Sequence, residues 1–315
     1  MKMLDIYERF RKAYKNPLSV MWNLYRRKDI IDVILMDGSQ EKLSPGATSG
    51  LSILTEKGVI INKITLNEFK KLTETEWKDL WHLIANGIEF TKAMDIMKSI
   101  VEIRYNEKIP YKNNVIIMHG LKDNGDLIDV FIWEDYRFLN VNGKVVVDLG
   151  ANIGDSAIYF ALNGAKKVIA LEPFSYSFNL AVRNVRENNL EDKIEILNAG
   201  YRRDGYILVD SDYANGLGTI LKISKKGEKI KIYSLKSLVE KFKLNDAVLK
   251  MDCEGCEYNL LNEDNSVIVK FSQIQIEYHN GYKKLIEKLN NAGFSTEYIK
   301  RDESEIFGHI HASKH

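Results

Sequence analysis

The chain has 315 residues, long enough for two domains or for one large domain with a cap, and its 45% hydrophobic content can build real cores. Forty-five basic and 44 acidic residues leave a net charge of +1, which excludes a global field that recruits nucleic acid or an anionic membrane, though not a local patch. Two cysteines exclude a disulfide framework, and no run approaches the roughly 18 apolar residues of a membrane helix.

Met1 to Asn16 alternates charges with Met3, Tyr7, Phe10 and Tyr14 at helical spacing and has no apolar core of a signal peptide, so it reads as a helix of a cytoplasmic protein. Met3 to Arg27 predicts two amphipathic helices parted by Asn16-Pro17. Asp29 to Met36 predicts a strand that turns at Asp37-Gly38, and Ser44 to Gly50 a loop. A helix over Leu66 to Ala85 presents Leu66, Phe69, Leu72, Leu80, Trp81 and Ile84 as packing surface. Trp77 and Trp81 could stack on a sugar, but aromatics at helical spacing are core more often. Short strands are predicted around Val101 to Tyr105 and Val115 to Met118, then a turn at Asp123 to Asp126 and an entry segment from Phe131 to Leu139.

Val145 to Phe160 organises the remainder. A β-branched run breaks at Asp148-Leu149-Gly150-Ala151-Asn152-Ile153-Gly154-Asp155 and resumes as an apolar helical pattern, the signature of a buried parallel strand, a tight turn and a helix. Gly150 and Gly154 permit a sharp bend and close approach of a ligand. A dinucleotide fingerprint started at Gly150 would need glycine at Asn152 and Asp155, and a carboxylate at Asp155 would repel a pyrophosphate. S-adenosylmethionine (SAM), with its ammonium and sulfonium, would instead be attracted to Asp148 and Asp155. Capping of the helix by Asp155 or Ser156 is the plainer alternative. A second strand, Lys167 to Leu171, ends in Glu172-Pro173, about 20 residues on, the spacing at which a carboxylate accepts from ribose hydroxyls.

Beyond this, Ser175 to Asn188 predicts a helix and Lys193 to Asn198 a third strand. Tyr206 to Ile232 predicts short strands with turns at Asn215-Gly216 and Lys225 to Gly227, and Ser234 to Phe242 a helix. The fourth strand, Ala247 to Asp252, ends in Cys253-Glu254-Gly255-Cys256-Glu257. Ligands of open α/β sheets lie outside such carboxyl ends, and acids crowded there repel unless a cation or proton lies between them. Asp252 and Glu254 are candidates for a base, a metal ligand or a contact to the methionine end of SAM. Ser272 to His279 follows, with Glu277 and His279 on one face. Cys253 and Cys256 read as small buried side chains rather than a redox or zinc pair. Tyr282 to Ala292 predicts a helix, and Phe294 to Ile299 with Ile306 to Ser313 a closing antiparallel hairpin.

These residues carry a resemblance. Val145 to Phe160, Gly164 to Phe174, Asn188-Asn189-Leu190, Leu249 to Glu257 and Ile276 to His279 are similar to the FkbM-type SAM-dependent methyltransferases, with the Asp-x-Glu-Gly-x-Glu element the most specific part, over roughly residues 110 to 315. The resemblance implies an α/β fold: a seven-stranded, doubly wound, mostly parallel sheet in the order 3-2-1-4-5-7-6. It also implies a methyltransferase domain at 109–315 beside a smaller mixed, mainly helical N-terminal region at 1–108 serving as cap, substrate or oligomerisation region. It further implies that Tyr136 and Glu134 lie across the cofactor, that Asn198 ends its strand near the adenine, and that the acceptor is a hydroxyl of a sugar, glycan or other small molecule.

The cofactor set is therefore Asp148, Gly150, Asn152, Gly154, Asp155, Glu172, Pro173, Asn198, Asp252, Glu254 and Tyr136. His279, oriented by Glu277, is the expected general base, with Asp252 the alternative. A divalent metal such as Mg on Asp252, Glu254 or Glu277 would lower the hydroxyl's pKa, a role the sequence leaves open, as it does homodimerisation. Neither a nucleic-acid partner nor a membrane span is expected. The competing functions are a SAM-binding scaffold without turnover and an NAD-type dehydrogenase.

Overall fold

A computed structural model describes residues 3–56, 58–59, 63, 66–67, 72–120, 126–209, 227–300 and 305–314. The chain divides into two compact units, Met1–Val101 and Glu102–His315. In the first, α1 (Met3–Ala13) and α2 (Pro17–Tyr25) flank Asn16, whose side chain accepts from Ile34 N (2.8 Å) and ties them to the hairpin of β1 (Ile31–Ile34) and β2 (Gln40–Leu43). The expected loop at Ser44 to Gly50 is instead the start of α3 (Pro45–Glu56). Proline suits the first helical position, Ser44 Oγ accepts from Ala47 N, and Leu51 and Leu54 are buried on one face. The helix expected from Leu66 is described in regular form as α4 (Glu74–Ala85), opened by a capping box of Thr73 and Glu76.

Helix α5 (Phe90–Tyr105) runs across the unit boundary and replaces the strand expected at Val101 to Tyr105. Ile100 and Ile103 are both buried there, and a short apolar run of this kind fits either period. The β3 (Lys108–Tyr111) and β4 (Asn114–Ile117) hairpin and α6 (Asp126–Phe131) follow. Of the turns expected at Asp123 to Asp126, Asn215-Gly216 and Lys225 to Gly227, all but Asp126 and Gly227 lie outside the described residues, as do Phe69 and the side chains of Trp77 and Trp81.

The second unit is built on one seven-stranded sheet. Its members are β5 (Val145–Leu149), β6 (Lys167–Leu171), β7 (Ile194–Leu197), β11 (Ala247–Met251), β12 (Phe271–Tyr278), β13 (Ser295–Lys300) and β14 (Gly308–Ser313). The spatial order β7-β6-β5-β11-β12-β14-β13 is the expected 3-2-1-4-5-7-6. Strands β7 to β12 run parallel and β14 runs antiparallel between β12 and β13. Helices α7 (Asp155–Leu162), α8 (Ser175–Glu187), α9 (Leu235–Phe242), the short α10 (Asn265–Ile268) and α11 (Lys283–Asn291) connect them. A smaller sheet of β8 (Ala199–Tyr201), β9 (Gly205–Val209) and β10 (Glu228–Tyr233) interrupts the series.

Because the central strands are covered on both sides, they read as continuous apolar runs: Val147, Leu149, Ile169, Leu171, Leu249, Met251 and Ile274 share one core. No helix among the described residues is long and apolar enough to cross a membrane.

Candidate functional site

The sheet order reverses between β5 and β11, and the carboxyl ends of β5, β6, β11 and β12 lie side by side there. Gly150 N and Ala151 N both donate to Leu171 O, locking the first turn onto the end of β6. Gly150 adopts φ +86°, and a Cβ there would sit 1.8 Å from the carbonyl oxygen of Asp252. Gly154, at φ +87°, faces Ala181 of α8, 3.2 Å from where its Cβ would be. Both glycines are thus required by the chain's own packing before any ligand approaches. Asn152 also takes the left-handed conformation, φ +46°, which asparagine tolerates better than most residues.

Glu172 ties the turn to the second strand. Its Oε2 accepts from Asn152 N and its Oε1 from Phe174 N, both at 2.9 Å, and the side chain is buried. Burial raises its pKa to about 7 against the lowering effect of the two amides and Lys250. Asn198 steadies the same loop by donating to the carbonyls of Glu172 and Pro173. Asp155 is buried in the first turn of α7.

Asp148 lies within β5, one residue before its end. It is fully buried, with Lys250 Nζ 3.0 Å from Oδ1 and Ser156 Oγ donating to Oδ2 at 2.6 Å, so its charge is met inside the chain rather than offered to a ligand. Lys250 also donates to Gly150 O (2.7 Å) and lies 5.4 Å from the centroid of the Tyr136 ring. Burial disfavours its charge, but Asp148, Asp252 and Asp155 outweigh that and hold the ammonium protonated above the ordinary lysine range.

At the carboxyl ends of β11 and β12 the acids form a second cluster. Tyr136 is buried and its hydroxyl donates to Asp252 Oδ2 at 3.1 Å, so it is a fixed wall element rather than an exposed flap; burial, then Asp252, pushes its pKa well up. Glu134 turns away to accept from Tyr111 at 2.8 Å. His279 is gripped by Glu257, a fully buried carboxylate whose Oε1 lies 3.1 Å from Nδ1 and accepts from the His279 backbone N at 3.2 Å. Its Nε2 faces Glu254 at 3.5 Å and Glu277 at 3.8 Å. Burial lowers the imidazole pKa, yet Glu257, Glu254 and Asp252 together carry it up to about 9. Burial also raises Glu254. Glu277, the expected orienting residue, is held on its other oxygen by His309 Nε2 at 3.0 Å, and Glu257 does the orienting instead.

Asp252, Glu277 and His279 each bring one ligand atom within 4.8 Å of the others, a group with His279 where the sequence suggested Glu254. Two carboxylates and an imidazole held by a buried carboxylate on its far nitrogen form a donor set that suits a divalent ion. Cys253 and Cys256 are joined by a disulfide, not two separate thiols: the turn sets their Cα atoms 5.4 Å apart, within the range a disulfide spans.

Lys250, Glu257 and His309 are not among the catalytic, cofactor or metal residues expected from the sequence, although Glu257 lies in the Asp-x-Glu-Gly-x-Glu element. The available signal for Lys250 was a lone cation inside an otherwise apolar strand.

Residues 148–296 match the methyltransferase FkbM domain. The chain is 38% identical over 80 residues to ribosomal protein L11 methyltransferase of Carboxydothermus hydrogenoformans, covering 25% of this chain and 26% of that protein. It is 28% identical over 157 residues to uncharacterized protein 158B of Sulfolobus islandicus rod-shaped virus 1, covering 47% and 71% respectively. Among solved structures it resembles M. capricolum TrmK in complex with S-adenosyl-homocysteine, with a TM-score of 0.39 and 14% identity over 58% of this chain and 68% of that one.

Proposed function

We propose that this chain, whose residues 148–296 match the methyltransferase FkbM domain, transfers a methyl group from SAM to a hydroxyl of a sugar, glycan or other small molecule. One observation carries the reading: a glycine turn bonded to a buried carboxylate (Asn152 N to Glu172, 2.9 Å) shares a sheet rim with an acid–histidine cluster at the neighbouring strand ends. SAM supplies an activated methyl on a sulfonium, which leaves as a neutral thioether when the acceptor oxygen takes the methyl.

The chain's residues bind and align. Glu172, already oriented by two amides, presents its remaining lone pairs to ribose hydroxyls, while Asp155 and Asp252 offer negative charge to the cationic donor. Asn198 and Pro173 shape the wall beside the adenine, and Tyr136 holds Asp252 in place. His279 Nε2 removes the hydroxyl proton; Glu257 fixes the ring through Nδ1 and stabilises the imidazolium that forms. In-line displacement asks for little else, so positioning supplies most of the acceleration. A divalent ion on Asp252, Glu277 and His279 is a second reading of the same rim and would polarise the acceptor oxygen. Residues 1–108 are assigned to acceptor selection or self-association, and the enzyme to the cytoplasm.

Titration calorimetry with SAM and with NAD tests the first step: SAM binds and NAD does not. Release of S-adenosylhomocysteine across hydroxyl acceptor pools, with and without EDTA, tests the second. Donor binding without turnover in any pool would leave a SAM-binding scaffold, and a loss with EDTA that magnesium restores would favour the ion.

A further inference from the structure

We propose that α2 and the turn after it form a docking surface for an anionic lipid membrane, on which the protein sits peripherally. Helix α2 buries Val20 completely and leaves its other face bare: Leu18 is 69% exposed, Trp22 58% and Tyr25 79%. Spaced i, i+4 and i+7, these three lie along one stripe, and Ile30, five residues beyond the helix, is 59% exposed as well. Single exposed apolar residues are ordinary, whereas a continuous aromatic and aliphatic stripe marks a contact surface. The Trp22 and Tyr25 rings stack at 5.9 Å, and the Arg26 guanidinium lies 5.9 Å from the Trp22 ring.

The charge around the stripe names the partner. From Arg9 to Lys28 the sequence carries seven cations and no acid, bounded by Glu8 and the exposed Asp29, in a chain whose net charge is only +1, so the rest of the protein is net acidic. Glu8 takes Arg11 in an ion pair, while Arg26, Arg27 and Lys28 are exposed and make no ion pair with a described residue.

Interfacial Trp and Tyr, aliphatics beside them and a basic cluster on the same edge are what a bilayer surface rewards: rings at the headgroup level, Leu and Ile below it, cations on the anionic heads. A nucleic acid has no use for Leu18 or Ile30, and the two rings are stacked on each other rather than open to bases. A second copy would bring two cationic tracts together.

The test is co-sedimentation of the full chain with vesicles of pure phosphatidylcholine or of phosphatidylcholine with roughly 30% phosphatidylglycerol, enough anionic lipid for a strong surface potential. The expected result is binding to the anionic vesicles only, weakened by high salt. R26Q/R27Q/K28Q should lower the partition coefficient about 100-fold, at about fivefold per cation near the surface. W22S/Y25S should lower it while leaving the salt dependence in place. Both variants alter exposed side chains, and circular dichroism should match the parent. Equal binding to both vesicle types, retention by either variant, or capture of single-stranded RNA in place of vesicles overturns the proposal.

Discussion

Lys250 Nζ lies 3.0 Å from Asp148 Oδ1 with the two side chains 2% and 0% exposed, and adjacent-strand register sets Lys250 directly opposite Asp148. The pair holds the floor of the glycine turn, since the same ammonium donates to Gly150 O. Lys250→Met leaves a buried carboxylate without its counter-charge, and the expected loss is about 3–5 kcal/mol of unfolding free energy by urea titration. D148N/K250M removes both charges and should recover most of it. A K250M protein within about 1 kcal/mol of the parent would show that Asp148 tolerates isolation and that the pair is incidental.

The two glycines of the turn should respond unequally. Gly150→Ala drives a Cβ to 1.8 Å from the backbone carbonyl of Asp252, so the end of β11 must move, and the left-handed φ adds strain. Gly154→Ala meets Ala181 at 3.2 Å, a clash that a small shift of α8 relieves. The expected costs are about 3–5 kcal/mol and about 1–3 kcal/mol, by thermal and urea unfolding, with donor affinity lost in the first variant and reduced in the second. The reverse order would mean that the turn, not the strand contact, sets the requirement.

Much of the second unit was legible because its signals are local. A β-branched run, a glycine turn and an acid about 20 residues on lie within one stretch of chain, and the family resemblance carried by those stretches implied the mostly parallel sheet and its order. What escaped depends on strand neighbours. Lys250 becomes a partner of Asp148 only once β11 is known to lie beside β5, and Glu257 reaches His279 only because the turn after β11 packs against the end of β12. Ser44 to Gly50 departs from expectation for another reason: its glycines and proline look like a loop, but proline opens α3 and buried Leu51 and Leu54 override the two glycines. The disulfide of Cys253 and Cys256 needed the geometry of the turn, which spacing alone does not reveal.

Glu172 predicts a pH dependence with two opposite signs. Its folded pKa of about 7 stands above the ordinary 4.5, so the native state keeps a proton that the unfolded chain has released between those values, and stability falls as pH rises across that window. The donor needs the carboxylate, so affinity moves the other way, tightening about tenfold from pH 6 to pH 8 in calorimetry. Glu172→Gln should flatten both trends and weaken donor binding at pH 8. An unchanged Kd in this variant would remove Glu172 from the donor site.

His279 gives the sharpest test of the chemistry. Its folded pKa of about 9 lies above the ordinary 6.5, so the ion pair with Glu257 is fully present below pH 6.5 and is lost as pH rises through about 9. A base must be unprotonated, so kcat/KM should climb over the same range in which that stabilisation fades, with an apparent pKa near 9 in the free enzyme. Glu257→Gln weakens the hold on the proton, so the rising limb should move toward neutral pH while the imidazole stays in place. His279→Gln should abolish the limb and lower kcat about 10²–10⁴-fold, with donor Kd changed less than about threefold. If the limb persists in His279→Gln, the proton leaves by another route, and Asp252, 3.1 Å from the Tyr136 hydroxyl, becomes the residue to replace next.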